Sequence, residues 1–386
     1  MQRRRETMSY RRRLLELAAP LLALLFALLV GGIFLLAIGK DPLQVYLTMF
    51  RFNLSRLDSI GSILYKSTPL IFSGLAVAVG FRVGLFNIGV EGQYFIGALL
   101  ASIVGFSLHG LPVWIHLPLV VLAGMLGGML WAWLPIVLKL RRGAHEVITT
   151  IMMNHIAYAL VLFFITSVFL DTEQEMVKGL GSPQVRMPKL LETARMPTMH
   201  GFLETLGIEL PRHVYLNWFF PLGILLAVAL FVMLWRAAYG YELRAVGGNP
   251  AAAETAGINT QRTMLSAFLL SGALAGLVGL SDLLGYFGYL DIDFPKGYGF
   301  TGIAVALLAR NSMLGVILTA ILFGFLRRGA EGVQAFEGVP MDTIVILEGV
   351  IILSIVVAVQ IVNWYVRRQE KLMKRRQVTM ERAGGD

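Results

Sequence analysis

From Val147 to Leu170 the chain carries no Asp, Glu, Lys or Arg, and Leu216 to Trp235 is equally free of charge. A helix of about 20 such residues spans the roughly 30 Å hydrocarbon core of a bilayer. Comparable apolar stretches recur at Leu14–Gly39, Pro69–Phe86, Ile88–Ser107, Pro112–Leu138, Met264–Leu284, Tyr298–Ala309, Met313–Leu326 and Ile344–Tyr365. Hydrocarbon offers the backbone no hydrogen bonds, so only helices and closed barrels cross it. These runs are too long for barrel strands of about 10 residues. The expected fold is therefore all-α, a polytopic membrane helical bundle of about ten transmembrane segments. Composition agrees, with 56% hydrophobic and only 15% charged residues in 386, where soluble domains carry about 25% charge.

The net charge of +9 does not call for nucleic acid, because the basic residues crowd at the chain ends and in short loops beside apolar segments. That distribution reports topology. With the N-terminus inside, the cytoplasmic side holds six Lys/Arg before Leu14, Arg82, three between Lys139 and Arg142, Arg236, Arg244, Arg262, Arg310 and seven after Val366, which makes 21 of 33. Both termini are accordingly expected in the cytoplasm, and Arg327 and Arg328 fit least well because the same count places them outside. Residues 1–13 form a basic cytoplasmic N-terminus, 14–365 the membrane domain and 366–386 a basic cytoplasmic tail. Leu14–Gly39 is longer than the apolar part of a signal peptide and no small-residue cleavage site follows it, so it reads as a retained first helix. Lys40–Lys66 reads as an amphipathic outer-surface segment, and 171–212, polar and proline-punctuated, as the main external loop. The expected crossing count leaves Tyr298–Ala309 and Met313–Leu326, both short, as two tight helices or a re-entrant hairpin.

Ten crossings place residues 239–262 in the cytoplasm. This is the one long polar stretch between apolar segments, reading YGYELRAVGGNPAAAETAGINTQR. Asn249 is suited to cap a helix, Pro250 to its first position and Gly257 to its end, with Ala252 and Ala253 propagating it. A helix of about seven residues is roughly 10 Å long and fills no core. It reads as a surface element for contact.

Polar residues within the apolar segments are candidates for a transport pathway or for helix-to-helix clamps, since each must find a partner in hydrocarbon. Asn87, Glu91 and Gln93 lie in FNIGVEGQ, and Asn154 in HEVITTIMMNHIA. Asp282 lies near the end of the seventh segment, with Tyr298 and Phe300 as aromatics that either stack on a cargo ring or belong to an interfacial belt. GLAVAVGFR at Gly74–Arg82 echoes GIAVALLAR at Gly302–Arg310, the kind of internal repeat found in transporter folds. His145 and His155 lie ten residues apart, which is not a ligand spacing, and no metal site is expected.

Four of these strings together resemble the permease subunits of ABC importers that serve branched-chain amino acids, ribose-type sugars and nucleosides. RAVGGNPAAAETAGI matches the cytoplasmic coupling loop, with Arg244, Gly247, Asn249, Pro250, Ala252, Ala253 and Gly257 at the matching positions. NIGVEGQ, the HEVITTIMMNHIA segment and GYGFTGIAVALLARNSMLGVILTAILFG resemble the nucleoside and simple-sugar branch, although His145 and His155 stand where that branch usually has Asn and Tyr. The resemblance implies a permease that moves nucleosides, or alternatively ribose-type sugars, across a bacterial cytoplasmic membrane. It also implies a separate cytoplasmic ABC ATPase subunit, a second permease subunit, identical or a shorter paralogue, and an extracytoplasmic substrate-binding protein. The cargo pathway would involve Asn87, Glu91, Gln93, Asn154, Asp282, Tyr298 and Phe300.

No GxxxxGK[ST] occurs, so the chain has no P-loop of its own, and with no cysteine it has neither disulfides nor thiol chemistry. No enzyme activity or cofactor is expected, ATP being used by the partner subunit. The alternative from another class is an ion-coupled secondary transporter, which would use intramembrane acids such as Glu91, Asp282 and Glu348 and would leave the capped cytoplasmic helix without a task.

Overall fold

The computed structural model describes residues 28–55, 57–172, 174 and 184–339, with isolated positions nearer the ends. Residues 1–24, most of Ile344–Tyr365 and almost all of the 366–386 tail lie outside them. Among the described residues the chain is all-helical apart from two isolated bridges, Arg186 with Asp291 and Thr198 with Asn217. Seven helical segments are long and apolar enough to cross a membrane, or eight if the bent pair Leu28–Ala37 and Pro42–Leu54 counts as one span.

Two compact units divide the chain. In the smaller, Met1–Met49 with Gly332–Asp386, helix α1 (Leu28–Ala37) turns by 119° into α2 (Pro42–Leu54). The Lys40 ammonium donates to the Glu337 carbonyl at 2.7 Å, and Gln44 and Thr48 donate to the two Glu337 carboxylate oxygens at 3.0 and 2.7 Å.

The larger unit, Phe50–Glu331, holds the candidate site. Its helices are α3 (Leu57–Arg82), α4 (Val90–Ser107), α5 (Val113–Arg142), α6 (Glu146–Phe163), α7 (His200–Thr205), α8 (Phe219–Arg236), α9 (Ala238–Gly248), α10 (Pro250–Thr255), α11 (Thr260–Gly276), α12 (Leu280–Asp282) and α13 (Tyr298–Leu308), with most of α14 (Met313–Glu337). The α11–α12 segment continues as one membrane-length element, Thr260–Phe287. It is mostly buried, as are α3 and α4, whereas only about a third of the residues in the apolar windows of α5, α6 and α8 are buried. Apolar residues that face lipid have no reason to be covered, because hydrocarbon is as apolar as they are.

Without a hydrophobic force between helices, close packing of small residues holds such a bundle together. The α4–α5–α11 contact is built this way. A Cβ on Gly128 would collide with the Gly272 carbonyl, and one on Gly276 with the Gly124 carbonyl. The three backbones therefore approach to a distance only glycine permits.

Several segment boundaries differ from the sequence expectation. The second span begins at Leu57, not Pro69, so part of the expected surface segment Lys40–Lys66 belongs to α3; its Asp58 and Lys66 are paired, with His213 at 3.4 Å and Glu331 at 2.5 Å. Tyr298–Ala309 is short, as expected: α13 has 11 residues, about 16 Å of helix. The expectation that Met313–Leu326 is short is corrected. Helix α14 runs on through Arg327, Arg328 and Glu331 for 25 residues, because those charges are partnered: Arg328 pairs with Glu331 at 2.6 Å, and Arg327 donates to the Thr301 hydroxyl at 3.0 Å. Paired charge inside a bundle does not end a helix.

The described part of the 171–212 loop is tied down. Met187 and Leu190 donate to the carbonyls of Leu290 and Gly288 at 2.8 Å each, and Met196 to that of Leu284 at 3.1 Å. His116 of α5 meets the Thr193 hydroxyl at 2.8 Å from beneath. Residues 184–196 thus lie across the ends of α5 and of the Thr260–Phe287 segment.

Candidate functional site

Helix α3 descends to Arg82, the chain turns at Gly84 (φ 73°), and α4 starts at Val90. The turn climbs back along α3, since Asn87 lies against Gly80. Asn87 donates to the Gln93 and Ser271 side chains at 2.9 Å each, and Ser271 passes the chain on to the Ala76 carbonyl at 2.6 Å. Gln93 returns a bond to Asn87 at 3.0 Å. Four first-turn N–H groups of any helix lack an internal partner, and here a neighbouring helix supplies one: Asn154 of α6 accepts from Gly92 N–H at 2.8 Å while donating to the Ile88 carbonyl at 3.0 Å.

Glu91, fully buried in the first turn of α4, is the centre of this arrangement. Its Oε1 accepts from Gly297 N–H at 2.6 Å, the Tyr158 hydroxyl at 2.7 Å and the Tyr94 hydroxyl at 3.0 Å, and its Oε2 from Gly299 N–H at 2.8 Å. Gly297 caps α13 and Gly299 lies in its first turn. The N-termini of α4 and α13, each bearing partial positive charge, therefore converge on one carboxylate. Four donors meet an acceptor-only group, so the burial is compensated.

A second acid lies on the Thr260–Phe287 segment. Asp282, 3% exposed, accepts from the Tyr65 hydroxyl at 2.6 Å and the Tyr298 hydroxyl at 2.8 Å. The Arg327 guanidinium lies 4.8 Å over the Tyr298 ring, and Lys66 and Arg328 both pair with Glu331. Phe300, in the first turn of α13, is 46% exposed.

Helices α3 and α13 run side by side in the same direction: Ser73 donates to the Tyr298 carbonyl at 2.8 Å, and nine residues on Arg82 donates to the Asn311 carbonyl at 2.5 Å. The two echoing sequences, Gly74–Arg82 and Gly302–Arg310, are thus direct neighbours, each closed by an arginine and followed by left-handed backbone, at Gly84 in one case and at Arg310 and Asn311 (φ 53° and 56°) in the other.

The polar stretch at 239–262 forms two helices, and α9 was not foreseen in it. Asn249 caps α10 by accepting from Ala252 N–H at 3.2 Å, Pro250 stands at its first position, and Gly257 follows its end at φ 83°. Ala253 is buried, while Pro250, Ala251, Ala252, Glu254 and Gly257 are exposed. Gly247 presses on the backbone of Arg82, where a Cβ would collide with the carbonyl oxygen. Arg244 lies over the Trp235 ring at 4.8 Å. Tyr239, half-buried and donating to the Ser266 hydroxyl of α11 at 2.9 Å, has its phenol pushed above the usual range by desolvation.

The structure thus gathers Asn87, Glu91, Gln93 and Asn154 around the start of α4, Asn87 bonded to Gln93, Asn154 to the backbone and Glu91 to its own set of donors, and pairs Asp282 with Tyr298, while Phe300 stands apart and exposed. Sequence reasoning missed Tyr94, Tyr158, Tyr65, Lys66, Glu331 and Arg82. Two of these were within reach: Tyr94 follows Glu91 by three residues and Tyr158 follows Asn154 by four, the spacings that share a helix face.

An apolar bundle with broken helix ends meeting at a buried acid, and with a capped helix displayed at one end, is a polytopic membrane protein of the transporter class. A family model described as branched-chain amino acid transport system / permease component matches residues 59–359, and the chain belongs to that family. It is 36% identical to the guanosine ABC transporter permease protein NupP of Bacillus subtilis, over 89% of this chain and 94% of that protein. It is 33% identical to the nucleoside ABC transporter permease protein NupB of Lactococcus lactis subsp. cremoris, over 89% and 91%. Against the glucose ABC transporter permease protein TsgB13 of Haloferax volcanii it is also 33% identical, over 89% and 87%.

Proposed function

We propose that this chain is the membrane-spanning permease subunit of an ATP-driven importer that moves nucleosides inward across a bacterial cytoplasmic membrane. Its partners in this reading are a cytoplasmic ABC ATPase, a second permease and an extracytoplasmic binding protein. The observation that carries the reading is α10: a short, capped, largely exposed helix on a loop whose sequence matches the family, seated by Gly247 on the end of α3. ATP binding in the partner moves this helix, with Arg244, Gly247, Asn249, Pro250, Ala252, Ala253 and Gly257 as its working residues. Both termini and the 239–262 loop lie in the cytoplasm in this scheme, and 171–212 faces the binding protein.

Nucleoside cargo is supported by the names of two relatives that cover nearly the whole chain. The glucose permease relative, at 33% identity, supports a simple sugar as the second reading. In either case Phe300 and Tyr298 offer surface to the cargo and Asp282 orients Tyr298, while Asn87, Glu91, Gln93 and Asn154 hold the helix ends that frame the path. Competition for uptake in the reconstituted system separates the two: guanosine, adenosine or cytidine outcompetes ribose and glucose if the cargo is a nucleoside, and the reverse order assigns a sugar.

A further inference from the structure

Arg82 ends α3 with its carbonyl against Gly247 of α9, and Arg244 stands three residues earlier on α9, so the two guanidiniums belong to one junction. Among the described residues neither forms an ion pair with a carboxylate. Arg82 spends Nη2 on the Asn311 carbonyl, yet its Nε is buried without a partner. Arg244 has its ring contact with Trp235, and its Nη1 is buried without a partner too. The Asn311 side-chain oxygen beside Arg82 is a third buried atom with no hydrogen bond. Buried donors are almost always satisfied, and a like-charge pair of guanidiniums is costly until an anion joins it. On the same stretch of chain Arg236, Glu254 and Arg262 are exposed, and the half-buried Glu242 carboxylate faces the Thr263 hydroxyl at 3.5 Å.

We propose that Arg82 and Arg244 form an anion site completed by a carboxylate side chain of the ATPase subunit. This rests on the permease reading above. Position favours a protein acid over a lipid headgroup: Arg244 precedes the cap of the exposed helix α10 by five residues, so a partner seated on α10 brings its own side chains to the pair. A guanidinium offers two parallel N–H groups to a carboxylate, and two guanidiniums can enclose one. The site also has an outlet. Through Arg82 it touches the Asn311 carbonyl in the left-handed turn that joins α13 to α14, and α13 is the helix whose other end is held by Glu91. Filling the site redistributes the hydrogen bonds of Arg82 and so reaches α13 without passing through the rest of the loop.

The test is ATPase-subunit binding to the full-length chain in nanodiscs of neutral phosphatidylcholine, followed from low to high salt. Arg244→Gln and Arg82→Gln are each expected to weaken binding about tenfold at low salt and to flatten its salt dependence. Arg244→Lys, which keeps the charge and guards against a folding artefact, is expected to retain the salt dependence and lose only part of the affinity. Unchanged affinity and salt dependence in glutamine variants that melt like wild type would overturn the proposal. So would a loss that appears only in discs containing anionic lipid, which would assign the site to a headgroup. A wild-type chain that captures no ATPase subunit would remove the permease reading along with it.

Discussion

At the scale of single residues, Glu91 shows what was legible and what was not. An acid in an apolar segment must find partners, and that much follows from the sequence. Its donors do not, because Gly297 and Gly299 are about two hundred positions away and give backbone N–H groups, which leave no mark on side-chain pattern. The capped helix at Asn249 was legible in full because every contact that makes it is local. In Glu91→Gln one accepting oxygen becomes a donating amide that faces N–H and O–H groups. The expected cost is about 2 kcal/mol, the scale of a lost hydrogen bond to a charged group. It would be seen as a lower unfolding temperature of the purified chain together with reduced uptake. Glu91→Asp, which keeps the carboxylate on a shorter stem, should lose less on both measures. Full stability in Glu91→Gln would show that the convergence of α4 and α13 does not depend on this carboxylate.

Among elements, the length of the uncharged apolar runs located the membrane helices, but their ends were set by pairing between distant segments. Helix α3 starts early because Asp58 and Lys66 have partners, and α14 continues because Arg327, Arg328 and Glu331 do. A sequence shows the charges and hides the pairs. Helix α10 is the opposite case, an element whose ends are both written in its own residues. Its closing residue Gly257 has φ 83° and open space around it, so a side chain there meets no obstacle except its own backbone. Left-handed conformation costs a non-glycine residue about 1–2 kcal/mol, more than so short a helix tolerates without fraying at its end. Gly257→Val should therefore insert normally and leave basal ATP hydrolysis by the assembled complex intact, while uptake per ATP hydrolysed falls several-fold. Uptake in proportion to hydrolysis, measured side by side in proteoliposomes, is the check, and an unchanged ratio would rule out α10 as the lever.

For the molecule as a whole, the decisive asymmetry is which side of the membrane displays α10. The larger unit arranges two helix N-termini around one buried acid, sets α13 parallel to α3, and joins the lower ends of both to the loop that bears α10 through Gly247 and Arg82. A capped, exposed helix joined to the ends of α3 and α13 suits work by an outside partner, whereas an ion-driven carrier needs its acids free to exchange ions. Glu91 and Asp282 are each enclosed by donors from the protein itself. Two measurements on one preparation separate the possibilities. The chain has no cysteine, so Thr255→Cys introduces a single thiol on the exposed end of α10. An impermeant maleimide should label it in inside-out vesicles and not in right-side-out ones. Right-side-out vesicles loaded with ATP should accumulate nucleoside, and vesicles depleted of ATP but given a proton or sodium gradient should not. Labelling from the outer face would invert the topology and leave the ATPase unable to reach α10, and gradient-driven accumulation without ATP would transfer the chain to the class of secondary carriers.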